Sequence, residues 1–538
     1  LIKNIKSQAE NTMPPVRVDS TVRTYDIICF GDEVPGVLAL VCGAREYYRQ
    51  TKQYPRTLLL FKGNPKLGIG GHLVRGGLSY LDRSAVPSAI RQSCRLDTFG
   101  DPPAIYKEFL QKAGVALIAL DPVKADTALR QMLSEVGADI IGDIEIKSVI
   151  KEGQKIAGIK LTNDETYLGK QFIDSTVNAE LAQAAGVKKL KGFETFGLPN
   201  SELAVTLVFQ TQGLSIDKLK NVEYQYLKRF TKVADTEAQK WLNTAAGGDR
   251  ARADELRKNL VDSQGNLKTM FVGQDYIDVR CKALSIAYHA FRGTPLSFES
   301  SSAILDNGNV AILSGGRLSW NALLFGVNAD QAEALARAKA KPTAEMLKEM
   351  LFVRKWFESI GASQVKPAEE LYIRHAGNIV GAVDPLSGSE MLSGGVPDTQ
   401  ALGTFGYHFD IRGGIKGLDT RAATKGFNNL AFNPPLFNIG FQHALVKNVP
   451  NLAVISPASG FVGYASSAGR IVEFNCGVGQ GVGIAAGMAI AQGRNLADTS
   501  NTQVRTILAQ TGRLPQIYGT SNVLLASQLG DFENQMIA

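Results

Sequence analysis

The chain has 538 residues, 44% of them hydrophobic and 20% charged, with a formal net charge of +7; this is enough apolar material for a large core, in two to four domains by length, and excludes a disordered or fibrous protein. The basic residues are scattered, and the tightest cluster, Lys188, Lys189 and Lys191, has no aromatic residues interleaved for stacking on bases, which argues against nucleic acid as a partner. Five cysteines form no CxxC pair and no zinc-ligand spacing, so no metal site is expected, and the longest apolar helical run, Val482 to Ala491, is about half of a membrane span, which argues against a transmembrane segment.

Residues 1–24 are polar and patternless, and 1–22 are expected to form a flexible segment. The chain opens on Leu1, so a start upstream is expected, and both a cytoplasmic location and export with N-terminal processing fit. Tyr25–Phe30 (YDIICF) predicts a short strand, GDEVPG a turn, the run from Val37 an apolar helix, and Thr57–Phe61 (TLLLF) a second strand. Strand, glycine turn, helix and strand in such a short stretch make a βαβ unit and imply a parallel sheet. Residues 104–137 alternate helical and strand-like pieces. Ile144–Leu161 predicts two strands around a turn, and a further strand ends near Thr176, giving a β-meander. From 191 to 435 the texture changes: a polar helical region (Asp217–Asn259), a turn-rich stretch (Asp306–Gly316), and a long helix or helix pair (Asp330–Ser359) broken at Pro342. Asn451–Ile455 predicts another strand, and Gly479–Gln492 a glycine-led apolar helix that returns the chain to its first domain. The expected organisation is a nucleotide-binding domain in two parts (23–190 and 436–500), an inserted domain (191–435) and a C-terminal helical tail (501–538).

Four motifs carry candidate chemistry. Gly31-Asp32-Glu33-Val34-Pro35-Gly36 lies between a strand and a helix, as the dinucleotide fingerprint GxGxxG does. Its first and third glycines, Gly31 and Gly36, are present; the second, which lets the backbone approach a pyrophosphate, is Glu33, and Phe61 stands where a ribose-binding acid belongs. An ordinary strand–helix turn fits the same residues. Gly70 and Gly71, with Gly76 and Gly77, make a loop able to press its backbone on a flat ring, or a surface turn; His72 inside it is a candidate proton donor or attachment point, or a structural histidine. Thr176 ends the strand FIDST. Gly479, Gln480 and Gly483 read as a helix start whose free N–H groups and positive dipole end suit an electron-rich ring edge. Arg470, and Arg374 beside His375, are candidates for an anionic substrate because guanidinium pairs bidentately with carboxylate; a structural ion pair fits Arg374 equally.

From about Tyr25 to Gly519 the chain resembles the FAD-dependent oxidoreductases of the glutathione-reductase-like fold, in the branch with an inserted substrate domain. The resemblance is carried by YDIICFGDEVPG, by the loop Gly70–Gly77, by IDSTVNAELAQAAG at 173–186, by GRLSWNALLFGVNADQAEALARA at 316–338, by LYIRHAGNIVGAVD at 371–384 and by residues 451–483. It implies an α/β fold: a Rossmann-like FAD/NAD(P)-binding domain with a β-meander, plus an inserted α+β substrate domain. It further implies FAD as cofactor, held by Gly31, Glu33, Gly36, Gly70, Gly71, Gly76, Thr176, Gly479, Gln480 and Gly483. Hydride would pass between flavin and a small organic substrate, with His72, Arg470 and Arg374 as catalytic candidates; a homo-oligomer is compatible. Gly71, His72, Arg470 and Gln480 are expected around one cavity at the domain junction. The departures fall at cofactor contacts. Glu33 and Val177 face the pyrophosphate side, Phe61 the ribose, and Ser456-Pro457 replaces a Gly-Arg pair. A carboxylate ~4 Å from a phosphate repels it by about 1 to 4 kcal/mol, so FAD is expected to be held weakly. The competing reading is a flavoprotein fold that has lost FAD and serves as a binding or structural component.

Overall fold

The computed structural model describes residues 21–409, 414–427 and 432–537; residues 1–20 of the expected flexible segment lie outside the described residues. Five parallel strands form the central sheet in the order Leu452–Val454, Gln171–Asp174, Ile27–Phe30, Thr57–Leu60, Asp139–Ile141. The four strands other than Asp139–Ile141 are buried along their whole length, which is why they read as unbroken apolar runs rather than alternating ones. The strand near the end of the chain thus shares a sheet with the strand near its start.

The first helix, Val34–Thr51, leaves the strand Ile27–Phe30 through the Gly31–Glu33 turn and packs along a second long helix, Val472–Gln492. This second helix starts at Val472, so the expected glycine-led start at Gly479 is corrected: the glycines lie in its interior. Spaced at i, i+4 and i+8, they fall on one face. A Cβ on Gly479, Gly483 or Gly487 would run into the carbonyl oxygens of Pro35, Ala39 and Gly43 on the first helix. The glycines therefore serve backbone-to-backbone contact between helices. By length and composition this helix could cross a membrane, but 89% of its apolar window is buried inside the protein.

The expected meander is present: Lys155–Leu161 pairs antiparallel with Ile146–Glu152 and Thr166–Leu168, and Val22–Thr24 adds in parallel. A six-stranded sheet follows in the order Phe271–Val272, Tyr276–Asp278, Ala303–Leu313, Arg317–Phe325, Val205–Gln212, Gln364–Pro367. It shares a hydrophobic core with helices that include Ile216–Thr231, Ala283–Arg292 and Ala344–Ser359. The stretch Asp306–Gly316, expected to be turn-rich, is mostly strand: the polar Asp306-Asn307-Gly308 sits at a register shift between Leu305 and Asn309, a bulge that keeps the strand going. The helical stretch 330–359 is indeed two helices, Ala329–Arg337 and Ala344–Ser359. Leu436–Asn438 pairs with Thr404–Gly406, so strand pairing crosses the expected boundary at 435. The C-terminal helix Val523–Ile537 packs on Gly388–Leu392, where Glu533 accepts hydrogen bonds from the amides of Gly388, Ser389 and Tyr464. In the basic run, Lys189 pairs with Glu333 and Lys191 with Asp330.

Candidate functional site

The fingerprint turn and the glycine loop meet at the ends of the central strands, where ligands of open parallel sheets bind. Gly31 has φ +96°, and a Cβ there would strike the Ser175 backbone; Gly36 lies equally tight on the Ser175 side chain. These two glycines hold turn and helix against the neighbouring strand. In the glycine loop, Gly70 (φ +127°) and Gly71 (φ +52°) turn successive amides toward the fingerprint. Three amides in a row would form a cradle for an anion. The chain fills that cradle itself. Asp32 Oδ2 accepts from the amides of Gly70 (3.0 Å) and Gly71 (3.3 Å), and Glu33 Oε1 accepts from the amide of His72 (3.1 Å). Glu33 Oε2 lies 2.5 Å from His72 Nδ1. Gly76 tightens the loop, since a Cβ there would meet the backbone of His72.

Around this pair the network is ionic and buried. Arg75 donates through both terminal nitrogens to the Asp32 carboxylate and through Nε to Glu370 (2.8 Å), and its guanidinium lies 5.3 Å from the Phe61 ring centre. Burial pushes the Asp32 carboxyl up, but the Arg75 charge and the two loop amides outweigh it and hold Asp32 below the usual carboxylate range. For Glu370 burial wins, and its carboxyl stands above its ordinary value.

On the other side of His72, the Tyr372 ring stacks on the imidazole at 4.8 Å between centroids, and Arg470 donates to the Tyr372 hydroxyl (3.4 Å). His72 and Arg470 line the same two cavities, of about 20 and 10 Å³. Glu33, Val177, Tyr372 and Pro457 close the larger one. Val177 also packs against the hydrophobic core of the six-stranded sheet.

Several expected contacts are corrected. Gln480 does not share a cavity with His72: its Oε1 accepts from the amide of Ile105 (2.9 Å), and its side chain walls a separate groove beside Cys42 and Arg45. Gly479 and Gly483 face the first helix instead of a ligand. Thr176 is taken up locally, its hydroxyl donating to Asp174 (2.6 Å) and accepting from the amide of Glu180 (2.8 Å). Arg374 is fully buried, donates to the Ala204 carbonyl (2.7 Å) and to Asn321, and lies over the Tyr372 ring at 4.6 Å; the neighbouring His375 is enclosed by Glu202 and Asn378. Asp32, Arg75, Glu370 and Tyr372 went unmarked among the candidates. The available signal was an acid inside the fingerprint and a base inside the glycine loop, both in otherwise apolar surroundings.

The space beside His72 and the amides of the glycine loop are filled by the chain's own side chains. Pockets for drug-sized ligands measure roughly 300–1,000 Å³, an order of magnitude above the space beside His72, and the amide cradle is occupied by two carboxylates. Clefts of about 510 and 430 Å³ do exist elsewhere, the first at Phe325 and Met346, the second at Gln480.

Residues 64–508 match the family model described as FAD dependent oxidoreductase. No curated protein matches. Among solved structures the chain is similar to a geranylgeranyl bacteriochlorophyll reductase-like protein from Thermoplasma acidophilum, at 12% identity over 96% of this chain and 88% of that one (TM-score 0.37). It is also similar to the L-proline dehydrogenase of P. horikoshii, at 12% identity over 91% and 99% (TM-score 0.35), and to the glycine oxidase of Bacillus cereus, at 8% over 89% and 97% (TM-score 0.36). With its family's model matching most of its length, the chain belongs to the FAD-dependent oxidoreductases, a family whose cofactor is FAD.

Proposed function

We propose that this chain keeps the family's fold while working without bound flavin, as a binding or structural component. One observation carries the reading: the amides of Gly70, Gly71 and His72 are already bonded to the carboxylates of Asp32 and Glu33. A flavin ring pressed against this loop would have to displace both carboxylates, and Glu33 in the fingerprint turn would still stand beside the pyrophosphate. Each carboxylate within ~4 Å of a phosphate opposes it by about 4 kcal/mol at the effective dielectric of a protein surface, so one alone lowers affinity roughly a thousandfold. Tyr372, Val177 and Pro457 fill the adjoining space. A second reading, an oxidoreductase passing hydride between FAD and a small organic substrate, is favoured by His72 and Arg470 lining the same cavities. It requires Tyr372 and the Glu33 carboxylate to move out together.

The test is spectroscopic and calorimetric. Protein purified from its native source is expected to lack the visible flavin band, and titration with FAD to give no saturable binding to the wild type. Glu33→Gly/Val177→Gly is expected to bind FAD more tightly than the wild type, because it removes a charge and a side chain from the pyrophosphate side. Stoichiometric FAD in the native protein would overturn the proposal.

A further inference from the structure

The C-terminal helix Val523–Ile537 is seated by two kinds of contact. Ala526, Leu529, Phe532 and Met536 are buried along one of its faces and pack with Phe196, Leu392 and Leu418. On the same face Glu533, 3% exposed, turns its carboxylate into a nest of three amides. Its Oε1 accepts from Gly388 (3.0 Å) and Tyr464 (2.8 Å), and its Oε2 from Ser389 (3.1 Å). A Cβ on Gly388 or Gly463 would lie 2.6 or 2.3 Å from that Oε1, so both glycines leave the room the carboxylate fills. Tyr464 is thus gripped twice, by Glu533 at its amide and by the Phe532 ring, whose centre lies 5.8 Å from its own.

Tyr464 is also where this grip reaches the His72 site. It opens the short, wholly buried helix Ala465–Gly469, which Arg470 closes. Asn475 fixes the far end of that helix, donating to the Gly469 carbonyl (2.6 Å). Arg470 in turn donates to the Tyr372 hydroxyl (3.4 Å), and the Tyr372 ring lies over the His72 imidazole, 17° from parallel. A single turn of helix therefore joins the C-terminal helix to the ring that fills the space beside His72. Coupling between separated sites needs such a contiguous chain of packed and bonded groups, together with an element that has two states. Chain-terminal elements supply that element most readily, because they open locally at less cost than the core.

We propose that the C-terminal helix is a latch on the cavity beside His72: seated, it holds Arg470 and Tyr372 in place, and released, it frees the Tyr372 ring to leave the imidazole and open that space. The latch carries its own trigger in Glu533. The groups that face this carboxyl are the three amides, Tyr464, and the Glu390 carboxylate of the helix Gly388–Leu392. On the helix Leu418–Thr424, Asp419 stands near Tyr464, and Arg421 donates to the Met536 carbonyl. On the turn Glu194–Phe196, the Glu194 carboxylate accepts from the Lys191 amide. Burial pushes the Glu533 carboxyl up to about 7 against the three amides. Its charge therefore appears as the pH rises through neutrality, in a seat built without a cation to balance it, and the seated state loses stability in that direction. The inference goes beyond the cofactor-free reading and does not depend on it, because it concerns what holds the Tyr372 ring and its readouts involve no flavin.

The test combines hydrogen exchange, corrected for intrinsic rates, with mass-spectrometric mapping of diethyl pyrocarbonate labelling, both on the full chain at pH 7. The reagent acylates an accessible imidazole nitrogen; in His72 the Nε2 is buried and the Nδ1 is held by Glu33, so labelling there reports departure of the Tyr372 ring. Glu533→Ala empties the nest, and Leu529→Ala loosens the apolar seat while leaving the nest in place. Each is expected to speed exchange over Val523–Ile537 at least tenfold, and with it exchange over residues 464–475 and labelling of His72 at least threefold. Leu242→Ala, which opens a hole in the core of the six-stranded sheet, should leave both of the latter as in the wild type. Raising the pH from 5 to 8 should speed corrected exchange over 464–475 in step with the C-terminal helix, and Glu533→Gln, which cannot ionise, should remove that step. A C-terminal helix that stays protected in both alanine variants, or one that loosens while 464–475 and His72 do not change, overturns the proposal. So does a Leu242→Ala variant that moves them as much.

Discussion

Replacing Arg75 by Met keeps the side chain's length and removes its charge. Arg75 is 5% exposed and is the counter-ion of two carboxylates that are themselves buried, Asp32 at 5% and Glu370 at 6%. Removing one partner of a buried pair costs about 3–5 kcal/mol, because the remaining charge is left uncompensated. The Gly70 and Gly71 amides still bond Asp32 in the variant, and the exchange of a cation–π contact with Phe61 for an apolar one is minor by comparison. The expected loss at pH 7 is therefore about 3–5 kcal/mol. The pH dependence gives a second signature. In the wild type the Asp32 carboxyl is held below its ordinary value, so its stabilisation is present above about pH 3.9 and is lost as pH falls through the lower folded value. Without Arg75, burial governs. The carboxyl is then pushed up, the folded state takes up a proton that the unfolded state releases, and the deficit shrinks as pH falls from 7 to 5. Urea unfolding of wild type and Arg75→Met at both pH values, followed by tryptophan fluorescence and by hydrogen exchange in the Gly70–Gly77 loop, measures both. A loss under about 1 kcal/mol at pH 7, or a deficit that grows on acidification, would refute the ionic account.

Two further predictions concern packing and the C-terminal helix. Gly483→Val drives a branched side chain into the Ala39 carbonyl and should destabilise by at least about 1–3 kcal/mol, read as a lower thermal midpoint; an unchanged midpoint would mean the two helices can separate freely. Burial pushes the Glu533 carboxyl up to about 7 against three opposing amide hydrogen bonds, so the folded state binds a proton that the unfolded state releases above its ordinary value near 4.5. The stability this helix contributes should then fall as pH rises from about 4.5 through 7 and level off beyond. Hydrogen exchange over Val523–Ile537 at pH 5 and 8, corrected for intrinsic rates, is expected to show less protection at pH 8; greater protection there would reverse the sign and reject the reasoning.

What could be read from the sequence is what short-range pattern encodes. The βαβ unit at 25–61 and the strand at 451–455 announce themselves as apolar runs bounded by turn residues, because strands buried on both faces have no alternation to hide them. The interior of a helix is another matter. Gly479 and Gly483 looked like a helix entrance because glycines usually cluster in loops. Their actual reason, close approach to Pro35 and Ala39, involves a helix far away in sequence and is invisible in any window around them. Gln480 was misplaced with them. Glu33 was legible as an obstacle to a phosphate, but a sequence does not say where a carboxylate points. That it takes the His72 amide, with Asp32 on the amides before it, depends on the loop's left-handed glycines meeting the fingerprint turn in space. Arg374 had a structural ion pair as its open alternative; it is buried and donates to the Ala204 carbonyl and Asn321, partners that no sequence window shows.

The filled amide cradle also changes how the folded state is maintained. When a soluble cofactor stabilises a protein, the gain is RT ln(1 + [L]/Kd) and rises and falls with cofactor supply. Here the anions are Asp32 and Glu33, tethered by a few bonds to the strand beneath them, and their local concentration is fixed by the covalent chain. No dilution or dialysis removes them. If the chain works without bound flavin, its abundance in a cell starved of riboflavin should stay level while that of flavin-stabilised proteins declines.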